Sequence, residues 1–131
     1  MDLSNAIKLG ATMKPHGRGA TYKNGCTCAM GAALDAVGLL DAAGDIDVMS
    51  RAGWGWTVDM TKHPLTGEAC SYEVVIFNLN DCHGWTREAI ASWVSEIEKE
   101  MEDAEKAKAN PGEIQRENSQ DGNMLALDIR T

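Results

Sequence analysis

The sequence predicts a mainly α fold: a compact bundle of four or five helices with long loops and room for one short strand pair. Three observations predict it. After Thr86, apolar residues recur every three or four positions, from Ile90 through Trp93, Val94, Ile97 and Met101 to Ala104, which is the period of a helix with one buried face. Glycine is plentiful, at 13 residues, and Ala-rich runs such as Ala29-Met30-Gly31-Ala32-Ala33 suit helices that pack closely. Aromatic residues make up only 5% of the chain, and the β-branched run Val74-Val75-Ile76 has no obvious strand partner. At 131 residues, 44% hydrophobic and 24% charged, the composition is that of one ordinary globular domain. That domain is assigned to residues 1–109, followed by a polar C-terminal tail, 110–131, with an apolar end.

Residues 2–13 read as the first helix. Leu3, Ala6, Ile7, Gly10 and Met13 share a face, and Asp2 or Ser4 can cap the start. Pro15 stops the helix, because the residue before a proline is driven out of the helical region. His16-Gly17-Arg18-Gly19 continues as a loop, and Asn24-Gly25 marks a turn. Thr27 can cap a second helix over residues 28–40, with a stripe of Ala29, Met30, Ala33, Leu34, Val37 and Leu40. Gly31 and its alanine neighbours make that helix thin enough for close approach.

Residues 41–51 allow a short helical turn, although Asp45-Ile46-Asp47-Val48 could equally be extended. Gly53-Trp54-Gly55-Trp56, His63-Pro64 and Thr66-Gly67 give residues 52–69 the chemistry of a loop. Residues 70–79 combine strand-like composition with no strand partner, so a buried helix ending near Leu79 is expected. Asn80–Trp85 is a turn that launches the last and longest helix. Glu88 stands in its first turn and Lys106 and Lys108 near its end, each favoured by the helix dipole. In the tail, alternating Leu125, Leu127 and Ile129 suit an extended segment docked on its own domain or on a second subunit, which would make a homodimer.

The formal charge is −8, and residues 1–23 hold four basic side chains against Asp2, so the acidity lies wholly in the remainder. Direct nucleic-acid binding is not expected, since neutralising phosphates needs a basic face. The longest apolar runs fall far short of a bilayer span, and the N-terminus lacks a secretory pattern. A cytoplasmic protein with reduced thiols is the expectation.

Four cysteines and a histidine form the first chemical candidate. Cys26, Cys28, Cys82 and His83 could supply three sulfurs and a nitrogen to structural zinc. The spacing is not that of a standard finger, so ordinary buried or loop cysteines without a metal are the expected reading. Cys28 and His83, each near a helix start, are the pairing expected if the chain were a small enzyme. Asn78–Gly84 fits no EF-hand frame, since neither a start at Asn78 nor one at Asn80 places the required ligands. Of the four tryptophans, Trp93 falls on the apolar face and is expected in the core. Trp54, Trp56 and Trp85 are the candidate partner-binding anchors.

Two segments resemble a known group. Gly25-x-x-Cys28-Ala29-Met30-Gly31-Ala32-Ala33 is similar to a Cys-Ala-(Leu or Met)-Gly-Ala-Ala helix start. Leu79-Asn80-Asp81-x-His83-Gly84-Trp85-Thr86-Arg87-Glu88-x-Ile90-Ala91-x-Trp93-Val94 is similar to a Leu-Asn-Asp…Trp-(Ser or Thr)-Arg-Glu-x-Ile-Ala-x-Trp-Val box. Together they look like small uncharacterised phage and prophage proteins. The resemblance implies a mostly helical cytoplasmic protein made during infection and carries no assigned activity. Cys26, Cys70, Cys82 and the chain after residue 108 lie outside the shared pattern. The expected role is a binding or regulatory protein that contacts a host or phage protein, without catalysis or cofactor. A small enzyme or zinc module on Cys28 and His83 is the alternative.

Overall fold

In the computed structural model, residues 1–109 are described, and they contain five α-helices and two short antiparallel strand pairs. The chain divides into two compact units, Met1–Glu96 and Ile97–Thr131. The tail beyond residue 109, with the docking expected of it, lies outside the described residues.

Helix α1 (Leu3–Ala11) buries Leu3, Ser4, Ala6, Ile7 and Gly10 along one stripe. Asp2 holds the N-cap position through its backbone, its carbonyl accepting the Ala6 N–H, and its side chain makes no capping bond. The stripe packs on α2 (Ala29–Ala36). A Cβ on Gly10 would sit 1.7 Å from the Ala32 carbonyl oxygen, and one on Gly31 would sit 2.0 Å from that of Thr21. These two glycines set how closely the backbones meet. Fully burying Leu3 and Ile7 contributes about 1.5–3 kcal/mol each.

Before α2 the chain makes a hairpin of β1 (Tyr22–Lys23) and β2 (Cys26–Thr27), paired Tyr22 to Thr27 and Lys23 to Cys26. Asn24 and Gly25 join them with φ of 55° and 77°, the doubly left-handed turn whose twist matches an antiparallel pair. Pro15–Gly17 runs beside β2, with Thr27 donating to the Pro15 carbonyl and Gly17 to that of Thr27. Thr27, expected as the cap of α2, is instead a strand residue. The cap is Cys28, whose sulfur accepts the Gly31 N–H at 3.4 Å. Helix α2 also ends four residues before the expected Leu40. Gly38 takes φ 76°, Leu39 N–H reaches the Leu34 carbonyl, and Gly38 N–H reaches that of Asp35. That is a Schellman C-cap.

A 3₁₀ turn (Leu40–Ala42) and the short α3 (Val48–Arg51) follow, so the Asp45–Val48 stretch resolves as the approach to a helical turn. A second 3₁₀ turn (Gly55–Val58) leads into β3 (Met60–Lys62), paired with β4 (Ala69–Ser71). The sequence reading held this stretch as loop. His63 organises the connection. Its Nδ1 accepts the Leu65 and Thr66 N–H groups, so Nε2 carries the proton and donates to Asn78 Oδ1 at 2.8 Å. Ser71 caps α4 (Tyr72–Asp81) by accepting from Val74 N–H, which confirms a helix where composition pointed to a strand. Thr86 caps α5 (Arg87–Ala109) through the Ala89 N–H.

The core of the first unit is assembled from Leu3, Ile7, Ala29, Met30, Ala33, Leu34, Val48, Met49, Trp54, Val75, Ile76, Leu79, Ile90, Ala91 and Val94. No described helix is long and apolar enough to cross a membrane.

Candidate functional site

The turn between α4 and α5 fixes everything near it, and two buried polar side chains do the fixing. Asn80 has no solvent exposure. Its Oδ1 accepts from Ala29 N–H at 3.2 Å and lies 2.6 Å from His16 Nε2, which therefore donates. Its Nδ2 donates to the Gly17 carbonyl at 3.0 Å and to Asp81 Oδ1 at 2.7 Å. A primary amide offers two donors and one two-lone-pair acceptor, so every capacity of Asn80 is used. Asp81 also accepts the Gly19 N–H, and Arg18 Nε donates to the Asn80 carbonyl. The loop after α1 is thereby strapped to the end of α4.

Arg87 is the second anchor, at 6% exposure. Its guanidinium donates to the carbonyls of Ala11, Lys14 and Pro15 and to Thr27 Oγ1. No carboxylate is among these acceptors. The charge is satisfied by oxygen dipoles at the C-terminal end of α1, where the helix dipole favours a cation.

With the turn held, α5 presents a face to solvent. Trp85, Ala89, Ser92, Trp93 and Glu96 line a shallow hollow of about 460 Å³. Ala89, Ser92, Trp93 and Glu96 recur at helical spacing on α5 with Trp85 in the turn just before it, and Ala89 and Ser92 are small enough to leave a floor between the two indoles. Trp93 is half-buried, not a core residue as its place on the apolar stripe predicted. Its ring lies 6.3 Å from that of Tyr72, and Tyr72 meets Trp56 edge-on at 5.2 Å. Trp56 and Trp85 are half-buried, so both retain an exposed edge.

Trp54 must be removed from the anchor set. It is 2% exposed, its indole N–H donates to the Met1 carbonyl, and its ring belongs to the core. Trp54 is the N-cap of the 3₁₀ turn and Trp56 its second residue, and two residues apart around such a turn the indoles point in different directions. The sequence reading missed Trp93 and Tyr72. The available signal was the spacing of Trp85 and Trp93, with Ala89 and Ser92 between them.

The cysteines are placed apart in character. Cys28 is 1% exposed, and burial pushes its thiol above the ordinary range. A helix-start thiolate is therefore not what this environment favours. Cys82 is exposed, Cys26 and Cys70 are half-buried, and all four are free thiols. His83 is exposed and its ring lies 5.1 Å from that of His63, and among the described residues no hydrogen bond joins it to Cys28. Among the described residues, no three His, Cys, Asp or Glu side chains gather as a metal-holding group, so Cys26, Cys28, Cys82 and His83 do not assemble the suggested centre.

Two other hollows are present in the first unit. One is lined by Val74, Phe77, Asn78, Asp81 and Cys82. The other is polar and contains the Lys14–Asp35 ion pair, with Lys14 Nζ 5.7 Å from the Tyr22 ring centroid. No family model, curated protein or solved structure matches this chain.

Proposed function

We propose that this is a small, non-catalytic binding protein of phage type that acts in the cytoplasm by contact with a host or phage protein. The face used is the Trp85–Trp93 hollow with Tyr72 and Trp56 beside it. One observation carries the reading: two half-exposed indoles frame a floor of small side chains on a helix whose start is clamped. Aromatic side chains with a buried root and an exposed edge are the commonest energetic anchors of protein interfaces. A rigid mounting adds affinity because little freedom is lost on docking. Acidity argues against nucleic acid as the direct partner. The resemblance of Leu79–Val94 to a phage-protein box supports the setting.

The experiment is capture from host lysate by the parent, by Trp85→Ser and by Ala89→Trp, which fills the hollow without removing a native contact of either indole. A protein retained by the parent and lost by both variants, with unchanged thermal melts, is the expected result. Retention by all three would refute the assignment of this face.

A further inference from the structure

We infer that the occupant of the Trp85–Trp93 hollow is an amphipathic helix with an apolar stripe flanked by lysine and arginine; this rests on the binding role proposed above. Shape is the first argument. The floor from Ala89 to Glu96 follows two turns of α5, about 10 Å. A shallow trough along a helix, walled by ring edges, accepts a second helix laid into it by residues spaced three and four apart. An extended strand would need a sheet edge, and none of the residues lining the hollow belongs to a strand.

Charge is the second argument, and it depends on where Arg87 points. Residues 70–96 carry Glu73, Asp81, Glu88 and Glu96 against Arg87 alone. Arg87 is buried with its donors turned inward onto main-chain carbonyls and Thr27. It offers nothing to a partner. Glu88 and Glu96 are exposed along this face of α5, with Glu96 in the wall of the hollow itself, while Arg18, the exposed cation beside Gly84, has its Nε engaged by the Asn80 carbonyl. A partner with acidic flanks would meet like charge at close range, whereas lysine or arginine flanks meet complementary charge as the apolar stripe seats. The same arrangement makes binding sensitive to salt.

The test uses three synthetic peptides of about 18 residues, long enough for five helical turns. The first carries leucine on one face with lysine and arginine flanks. The second keeps the leucine face and has glutamate flanks. The third is a scramble of the first. Each is dye-labelled and titrated with the full chain, and anisotropy is read at about 50 and about 300 mM salt. The first peptide should bind about tenfold or more tighter than either control and weaken at high salt. Glu88→Lys with Glu96→Lys should cost it several-fold, and Ala89→Trp should abolish it.

Equal binding by the scramble would reduce the effect to bulk charge and overturn the inference. So would equal binding by the glutamate twin, binding that survives Ala89→Trp, or no binding by any peptide. If the peptides fail while lysate capture still depends on Trp85, the protein-binding role stands and only the basic helix falls. If capture is indifferent to Trp85 as well, both fall.

Discussion

Asn80→Asp is the sharpest probe of how this protein is held together, because it keeps the side chain's shape while replacing two N–H donors with an acceptor and placing a carboxylate beside Asp81. The substituted oxygen occupies the place of Nδ2, facing the Gly17 carbonyl at 3.0 Å and Asp81 Oδ1 at 2.7 Å. Two attractive contacts become two acceptor–acceptor repulsions in a position with no solvent exposure. Losing two hydrogen bonds costs about 1–3 kcal/mol, and leaving the Gly17 carbonyl unpaired adds about 1–3 kcal/mol. A total of about 2–6 kcal/mol is a large share of the roughly 5–15 kcal/mol that typically separates folded from unfolded. Asp81→Ala keeps the Asn80 bond to the Gly17 carbonyl and removes the acceptor of the other Asn80 Nδ2 hydrogen and of the exposed Gly19 N–H, the second of which water can replace, so it should cost less, about 1–3 kcal/mol. The assay is urea unfolding followed by far-ultraviolet circular dichroism, with parent and both variants under one buffer. If Asn80→Asp falls within about 0.5 kcal/mol of the parent, or if Asp81→Ala is the more damaging of the two, the strap from Asn80 to the 16–19 loop does not stabilise the fold as argued.

Arg87→Lys should destabilise by about 2–4 kcal/mol despite keeping the charge, since one ammonium cannot span the Ala11 and Lys14 carbonyls and Thr27 Oγ1; a melting temperature equal to the parent's would contradict this. Gly10→Ala forces α1 and α2 apart at the Ala32 carbonyl, and a thermal melt should show a loss of about 3 kcal/mol or more, against the gain expected for alanine in an unobstructed helix. With a thiol reagent at mildly alkaline pH, Cys82 should react first and Cys28 last. Burial raises the Cys28 thiol, so its thiolate fraction grows only above the usual titration range, and peptide mapping that finds Cys28 labelled early would show the helix start to be open.

The framework was legible in the residues because it is local. Asn24-Gly25 makes the hairpin turn and Thr86 caps α5, each through chemistry within a few residues of itself, whereas α1 ends at Ala11, short of the expected stop at Pro15, and leaves Met13 exposed. The helical period that joined Ile90, Val94 and Ile97 marked them as buried without reference to any other element. The Gly38 C-cap was equally local and could have been read from Val37-Gly38. The strand pair Met60–Lys62 and Ala69–Ser71 was harder. Three residues a side, joined through His63, give too few positions for alternation to register.

What tertiary structure alone decided is which polar groups go inside and which tryptophans stay out. Asn80 meets Ala29, Gly17 and His16 across 51 to 64 residues of chain, and Arg87 meets Ala11 across 76. No local pattern marks an asparagine or arginine as interior when its partners are main-chain groups that far away. Trp54 went into the core and Trp93 stayed half-buried at its margin for the same reason. Helical period says which residues share a face, but the neighbouring elements decide how much of each side chain is covered, and Trp93 packs against the core yet stays half-buried, its ring tilted toward Tyr72 at 6.3 Å.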